Sequence, residues 1–243
     1  MSGIRSARPD AVVFDLDGTL VDSLPGIAVS TRATVGAFLG RMPARLGDAA
    51  VTRMVGEGAS ILLTRAFAAE GMHLPEGALE HWRATYDRVA PAHTRPMPGA
   101  TRLLDALRHA GVAIGLCTNK PHAATLKLLE ALAWSTRFDA IRGAGSTVAD
   151  KPDPRHLLAV IESLGVRASA TWFIGDSPTD AQAGAAAGVH TVLLAHGYSR
   201  QPVHALPAQA HLPDLPSLAA VLGLSEAADT SGPSSGPREP ADG

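Results

Sequence analysis

Four short polar motifs carry the residue types that could do chemistry in this chain. They are Asp15-Leu16-Asp17-Gly18-Thr19, Thr118-Asn119-Lys120-Pro121, Lys151-Pro152-Asp153-Pro154 and Gly175-Asp176-Ser177-Pro178-Thr179-Asp180. Such a set suits attack on phosphorus. A phosphate monoester dianion repels an approaching carboxylate: at ~4 Å and an effective dielectric of ~20 each unit pair costs about 4 kcal/mol, so the dianion costs on the order of 8. Counter-charge must reverse that sign. Asp15 and Asp176 could together hold Mg2+, a hard cation that prefers oxygen ligands, and Lys151 adds a second positive charge. Asp15 can then attack phosphorus and form an aspartyl-phosphate. Asp17, two residues on at a strand's end, can protonate the leaving oxygen and later deprotonate the hydrolytic water. Gly18 permits an unusual turn there, and Thr118 can offer its hydroxyl or a backbone N–H to a phosphoryl oxygen.

Taken singly, these residues have plainer explanations. Lys151 would be a surface lysine, Thr118 a helix cap and Asp180 an acid favoured by a helix dipole. Their joint occurrence in four motifs, each after an apolar run or before a helix, favours the chemical reading. Cys117 reads as a small core residue, and the histidines include no His-x-x-x-His pair that would suit a metal.

Five brief apolar runs read as buried strands: Ala11–Phe14, Val112–Cys117, Phe138–Arg142, Thr171–Ile174 and Val189–Leu194. Helix-like segments lie between the later ones, at Ala100–Ala110, Ala123–Ala133, Pro154–Leu164 (with Asp153 as N-cap) and Thr179–Ala187. Strands alternating with helices predict an α/β fold with a parallel sheet covered on both faces. Ligands of such a sheet bind outside the carboxyl ends of its strands, so the motifs converge in one crevice. About 95 residues separate the first two strands, far more than one crossover needs. Three helical stretches, Leu24–Leu39, Asp48–Glu70 and Glu76–Val89, fill that interval. The expected organisation is a core of residues 1–21 and 96–224, a helical insert at 22–95 and a disordered tail at 225–243 that lacks large apolar residues.

Composition bounds the rest. Hydrophobic residues make up 46% of the 243 and charged residues 18%, enough for a sizeable buried core. A formal net charge of −2 with interspersed signs gives no nucleic-acid footprint. One cysteine excludes an internal disulfide, and no apolar run is long enough for a membrane span or a signal peptide. The expectation is a cytoplasmic monomer or homodimer whose partner is a small phosphorylated metabolite.

Together the motifs resemble those of the haloacid-dehalogenase-like phosphohydrolases, over nearly the whole chain before the tail. The resemblance implies a Rossmann-like core with a mobile helical cap. It implies Asp15 as nucleophile, Asp17 as acid/base, and Thr118 and Lys151 as phosphate binders. The implied cofactor is Mg2+, with Asp15, Asp176 and the Asp17 backbone carbonyl as ligands and Asp180 supporting it through water. Within that family the chain is similar to the phosphoglycolate phosphatases. Thr118-Asn119-Lys120-Pro121, the cap segment Val55-Gly56-Glu57-Gly58-Ala59 and the pair Gly197-Tyr198 carry this likeness, whereas Gly143-Ala144-Gly145-Ser146 lacks the acidic pair of many relatives. 2-Phosphoglycolate is the substrate implied, with Asn119, Arg53, Gly56, Glu57 and Gly58 joining Thr118 and Lys151 in binding it. Sugar phosphates, pyrophosphate and amino-sugar phosphates are the alternatives. A dehalogenase would need neither Asp17 nor a metal. A phosphosugar mutase would share all four motifs, and a non-catalytic phosphate-binding module is the rival from outside enzymology.

Overall fold

The computed structural model describes residues 8–55 and 58–224. A six-stranded parallel sheet forms its centre. The strands are β1 (Ala11–Phe14), β4 (Ala113–Pro121), β5 (Ala140–Ala144), β6 (Thr171–Gly175), β7 (His190–Leu194) and β8 (Ala210–Leu212), in the spatial order β5-β4-β1-β6-β7-β8. The short strands β2 (Val21–Asp22) and β3 (Arg95–Pro96) make a separate antiparallel pair. This is the α/β architecture with a parallel sheet that the alternating pattern predicts, and the Rossmann-like core that the family resemblance implies.

Side chains alternate across the sheet because the strand period is two. Val12 and Phe14 point to one face, where they pack with α5 (Ala100–His109), α6 (His122–Ala131) and α9 (Leu215–Val221). Val13 points to the other face, with α7 (Pro154–Leu164) and α8 (Pro178–Ala187). The α7 start follows its sequence signals: Pro154 opens the helix and the Asp153 carboxylate accepts the Arg155 N–H at 2.9 Å.

Between β2 and β3 run α1 (Leu24–Leu39), α2 (Asp48–Thr52), α3 (Ala59–Ala69) and α4 (Ala78–His93). They share their own apolar cluster, with Val35, Leu63, Phe67 and Trp82 buried in it. The helical excursion thus has a core of its own beside those on the two faces of the sheet, and the antiparallel β2–β3 pair sits where it leaves and rejoins the sheet.

Three expectations need correcting. The single helix at Asp48–Glu70 is two helices: Gly58 caps α3 with φ of 91°, a conformation that interrupts a right-handed helix and favours glycine. The second sheet strand runs on to Pro121 instead of ending at Cys117, because Thr118 still pairs with Gly143 of β5. The sixth strand β8 and helix α9 escaped the sequence reading; Ala-His-Leu at a sheet edge is too short and mixed to signal a strand. The expected tail at 225–243 lies outside the described residues. Among the described residues no helix is long and apolar enough to cross a membrane.

Candidate active site

The sheet delivers the motif residues to one end. Asp15 directly follows β1, and its N–H continues the ladder by donating to Ile174 O at 2.8 Å. Asp176 follows β6, and Lys151 stands three residues before α7. All three are buried, as is Asp180 in the first turn of α8. Carboxylate oxygens of Asp15, Asp176 and Asp180 lie within 4.8 Å of one another.

One lysine pairs with two of these acids. Lys151 Nζ donates to Asp15 Oδ1 and to Asp180 Oδ1, each at 2.7 Å. Asp180 Oδ2 accepts from the Asp176 N–H (3.2 Å), the Ser177 N–H (3.1 Å) and the Ser177 hydroxyl (2.6 Å). Asp180 therefore closes the capping box of α8 with one oxygen and faces the site with the other. Asp176 is oriented by the Thr19 hydroxyl at 2.9 Å and the Tyr198 N–H at 2.7 Å.

The electrostatics follow from three acids and one base out of water. Burial pushes the Asp15 carboxyl up to about 6; Lys151 opposes that and Asp180 adds to it. Asp176 is raised as well, by burial first and then by Asp180 and Asp15. Burial works against the charge on Lys151, yet Asp15 and Asp180 outweigh it and hold its proton more firmly than usual. If all four are ionised, three negative charges face one positive charge. An all-oxygen, electronegative donor set of this kind fits a hard divalent cation.

The remaining sequence candidates fall in three groups. Thr118 is buried at the end of β4, and its Oγ1 accepts the Lys120 N–H at 3.2 Å. The Asn119 side chain clasps the Lys151 backbone, donating to Lys151 O at 2.7 Å and accepting the Lys151 N–H at 3.0 Å. That geometry ties the second motif to the third. Arg53 is exposed at the end of α2, and Gly58 opens α3 beside open space. Neither hydrogen-bonds the carboxylate cluster, and Gly56 and Glu57 lie outside the described residues.

Sequence reasoning missed Lys120. Its ammonium donates to both Asp17 oxygens at 3.0 Å and to the Tyr86 hydroxyl at 2.6 Å. The strand period gave no reliable clue, since the β4 register shifts between Thr118 and Pro121. It also missed what Tyr198 does. The Tyr198 hydroxyl accepts the Ser23 N–H at 2.7 Å and donates to Asp22 Oδ1 at 2.8 Å, where α1 begins. Cys117, by contrast, is the core residue expected: it is buried, and burial pushes its thiol up to about 12.

A family model described as haloacid dehalogenase-like hydrolase matches residues 9–188. The chain belongs to that family. Among curated proteins it is similar to the phosphoglycolate phosphatase of Rhodospirillum rubrum, 43% identical over 226 residues that cover 89% of this chain and 92% of the relative. The phosphoglycolate phosphatase of Agrobacterium fabrum is 35% identical, over 86% of this chain and 91% of its own length. The fold matches a crystal structure from Haemophilus somnus, described as a predicted phosphoglycolate phosphatase, with a TM-score of 0.79 at 24% identity, over 90% of this chain and 99% of that one. This haloacid dehalogenase-like chain is thus a hydrolase, and by kinship a phosphoric monoester hydrolase.

Proposed function

We propose that the enzyme hydrolyses a small phosphate monoester through an aspartyl-phosphate at Asp15, with Mg2+ as cofactor and 2-phosphoglycolate as the favoured substrate. The observation that carries this reading is the buried cluster of Asp15, Asp176 and Asp180 around Lys151 at the end of β1 and β6. The relatives named phosphoglycolate phosphatase support the substrate.

In this reading Asp15, Asp176 and the backbone carbonyl of Asp17 would hold the metal, with Asp180 in support. The bound ion would supply positive charge against the phosphoryl oxygens. The protein's own groups do the rest. Asp15 Oδ attacks phosphorus as the bond to the leaving oxygen breaks, and Asp17 gives that oxygen a proton. Asp17, now a carboxylate, takes a proton from the water that cleaves the aspartyl-phosphate. Lys151 keeps Asp15 aimed and offsets charge on the transferred group, and Thr118 donates to a phosphoryl oxygen. Asn119 contributes by holding the Lys151 backbone. The helices of residues 22–95 act as a cap that excludes bulk water, with Arg53 and the Gly56-Glu57-Gly58 segment as its substrate contacts.

Phosphate release measured with and without Mg2+, across 2-phosphoglycolate, sugar phosphates, pyrophosphate and nucleotides, tests both halves. Asp15→Asn is expected to lower Mg2+-dependent release by roughly 10³-fold or more, because the amide cannot attack. Equal release by Asp15→Asn and wild type would sink the nucleophile assignment. A higher kcat/KM for another phosphate would replace the substrate and leave the mechanism intact.

A further inference from the structure

Lys120 pairs with Asp17 from the buried side of that residue. The Lys120 side chain is buried, whereas that of Asp17 is 26% exposed. The Lys120 ammonium spans both Asp17 oxygens, Oδ1 and Oδ2, in one forked contact at 3.0 Å each and meets the Tyr86 hydroxyl at 2.6 Å. Lys120 is also 4.5 Å above the Tyr86 ring.

Tyr86 belongs to α4, in the helical insert, while Lys120 belongs to β4 and Asp17 to the loop after β1. The Tyr86 ring is itself fixed. It stacks on Trp82 at 4.9 Å and 8°, and Trp82 Nε1 donates to Thr31 Oγ1 of α1 at 3.1 Å. An unbroken line of contacts therefore runs from the insert's core through Tyr86 and Lys120 to the Asp17 carboxylate.

We propose that Lys120 and Tyr86 are positioning residues that orient Asp17 for proton transfer and make that orientation depend on the seating of the insert. With the insert seated, Lys120 grips both oxygens from the buried side and turns the carboxyl toward the leaving oxygen. With Tyr86 withdrawn, the ammonium loses a partner and its fixed direction. The proton passes from Asp17 to the leaving oxygen as the P–O bond breaks, and Lys120 keeps its own proton throughout. This proposal rests on the reading of Asp17 as the proton donor.

The test compares leaving groups. An alkyl phosphate such as 2-phosphoglycolate, or the best alkyl ester in the screen, expels an alkoxide that needs a proton. p-Nitrophenyl phosphate expels a phenolate that does not. Lys120→Met is expected to lower kcat/KM on the alkyl ester about tenfold or more beyond its loss on the aryl ester, within the ~10²–10⁴ scale of general acid catalysis. Tyr86→Phe, which removes one hydroxyl from the insert, should move the same ratio in the same direction by about threefold. A ratio of two substrates is indifferent to the fraction of enzyme folded, so a merely structural loss leaves it unchanged. Equal losses on both esters, or none, for Lys120→Met would overturn the bridge. Asp17→Asn serves as the reference. If it is leaving-group selective and Lys120→Met is not, the bridge falls and the reading of Asp17 stands. If Asp17→Asn is itself unselective, both fall.

Discussion

Asp176 occupies space that only two glycines leave free. A Cβ on Gly197 would lie 2.2 Å from Asp176 Cβ and Oδ2, and one on Gly18 would lie 2.6 Å from Oδ2. Gly18 also needs its φ of 89°, which side chains rarely adopt. These residues touch a candidate metal ligand without being ligands, so their substitution should act through Asp176. Gly197→Ala is expected to raise the Mg2+ concentration for half-maximal activity by about 10–100-fold, the usual range for groups that orient a metal ligand. A Mg2+ titration of phosphate release measures this, and an unchanged midpoint would refute it. At this scale the sequence was informative about kinds of residue. Asp15, Lys151 and Asp176 were identified by type and motif, and the structure gathers them with Asp180. The partner of Asp17 was hidden, because Lys120 is 103 positions away and no local pattern joins the two.

Helix α8 does two tasks with one residue. Its capping box pairs Ser177 with Asp180, and the same carboxylate meets Lys151. Ser177→Ala removes both the oxygen that accepts the Asp180 N–H and the hydroxyl that donates to Asp180 Oδ2. The expected cost is about 1 kcal/mol of stability, the usual value of an N-cap, readable in a urea unfolding midpoint. Activity should fall as well, since Asp180 is then freer to leave Lys151. An unfolding midpoint equal to wild type would contradict the capping role. Elements with strong local signals were legible: α7 and α8 begin and end at their Pro, Asp, Ser and Gly markers. β8 was not, because three residues at a sheet edge derive their strand character from β7 and not from their own pattern.

The molecule as a whole carries a buried negative cluster, and its stability should respond to pH and metal together. In the unfolded chain Asp15 titrates near ~3.9. In the folded, metal-free protein its carboxyl is pushed up to about 6, and Asp176 is raised too. Between those values the folded state binds more protons than the unfolded one. The contribution of these groups to stability is therefore greatest at low pH and falls as pH rises toward about 6. Mg2+ needs the carboxylates ionised, so it competes with those protons. The rise in Tm on adding Mg2+ should be small at about pH 5 and larger at about pH 7.5. Thermal melts with and without Mg2+ or EDTA check this, and an equal rise at both pH values would contradict it.

The sequence by itself determined the class of fold, the family resemblance and the motifs that carry Asp15, Asp176 and Asp180, because strand period, helix stops and short motifs are local properties. It also located the helical excursion between the first two strands. Tertiary structure alone decided how those acids are held. Lys151 reaches Asp15 across 136 positions, Tyr198 links Asp176 to the start of α1, and Lys120 joins Asp17 to the insert. Such pairings depend on which chain ends the parallel sheet brings to one edge and how the insert docks there. Those are long-range packing outcomes that no window along the chain contains.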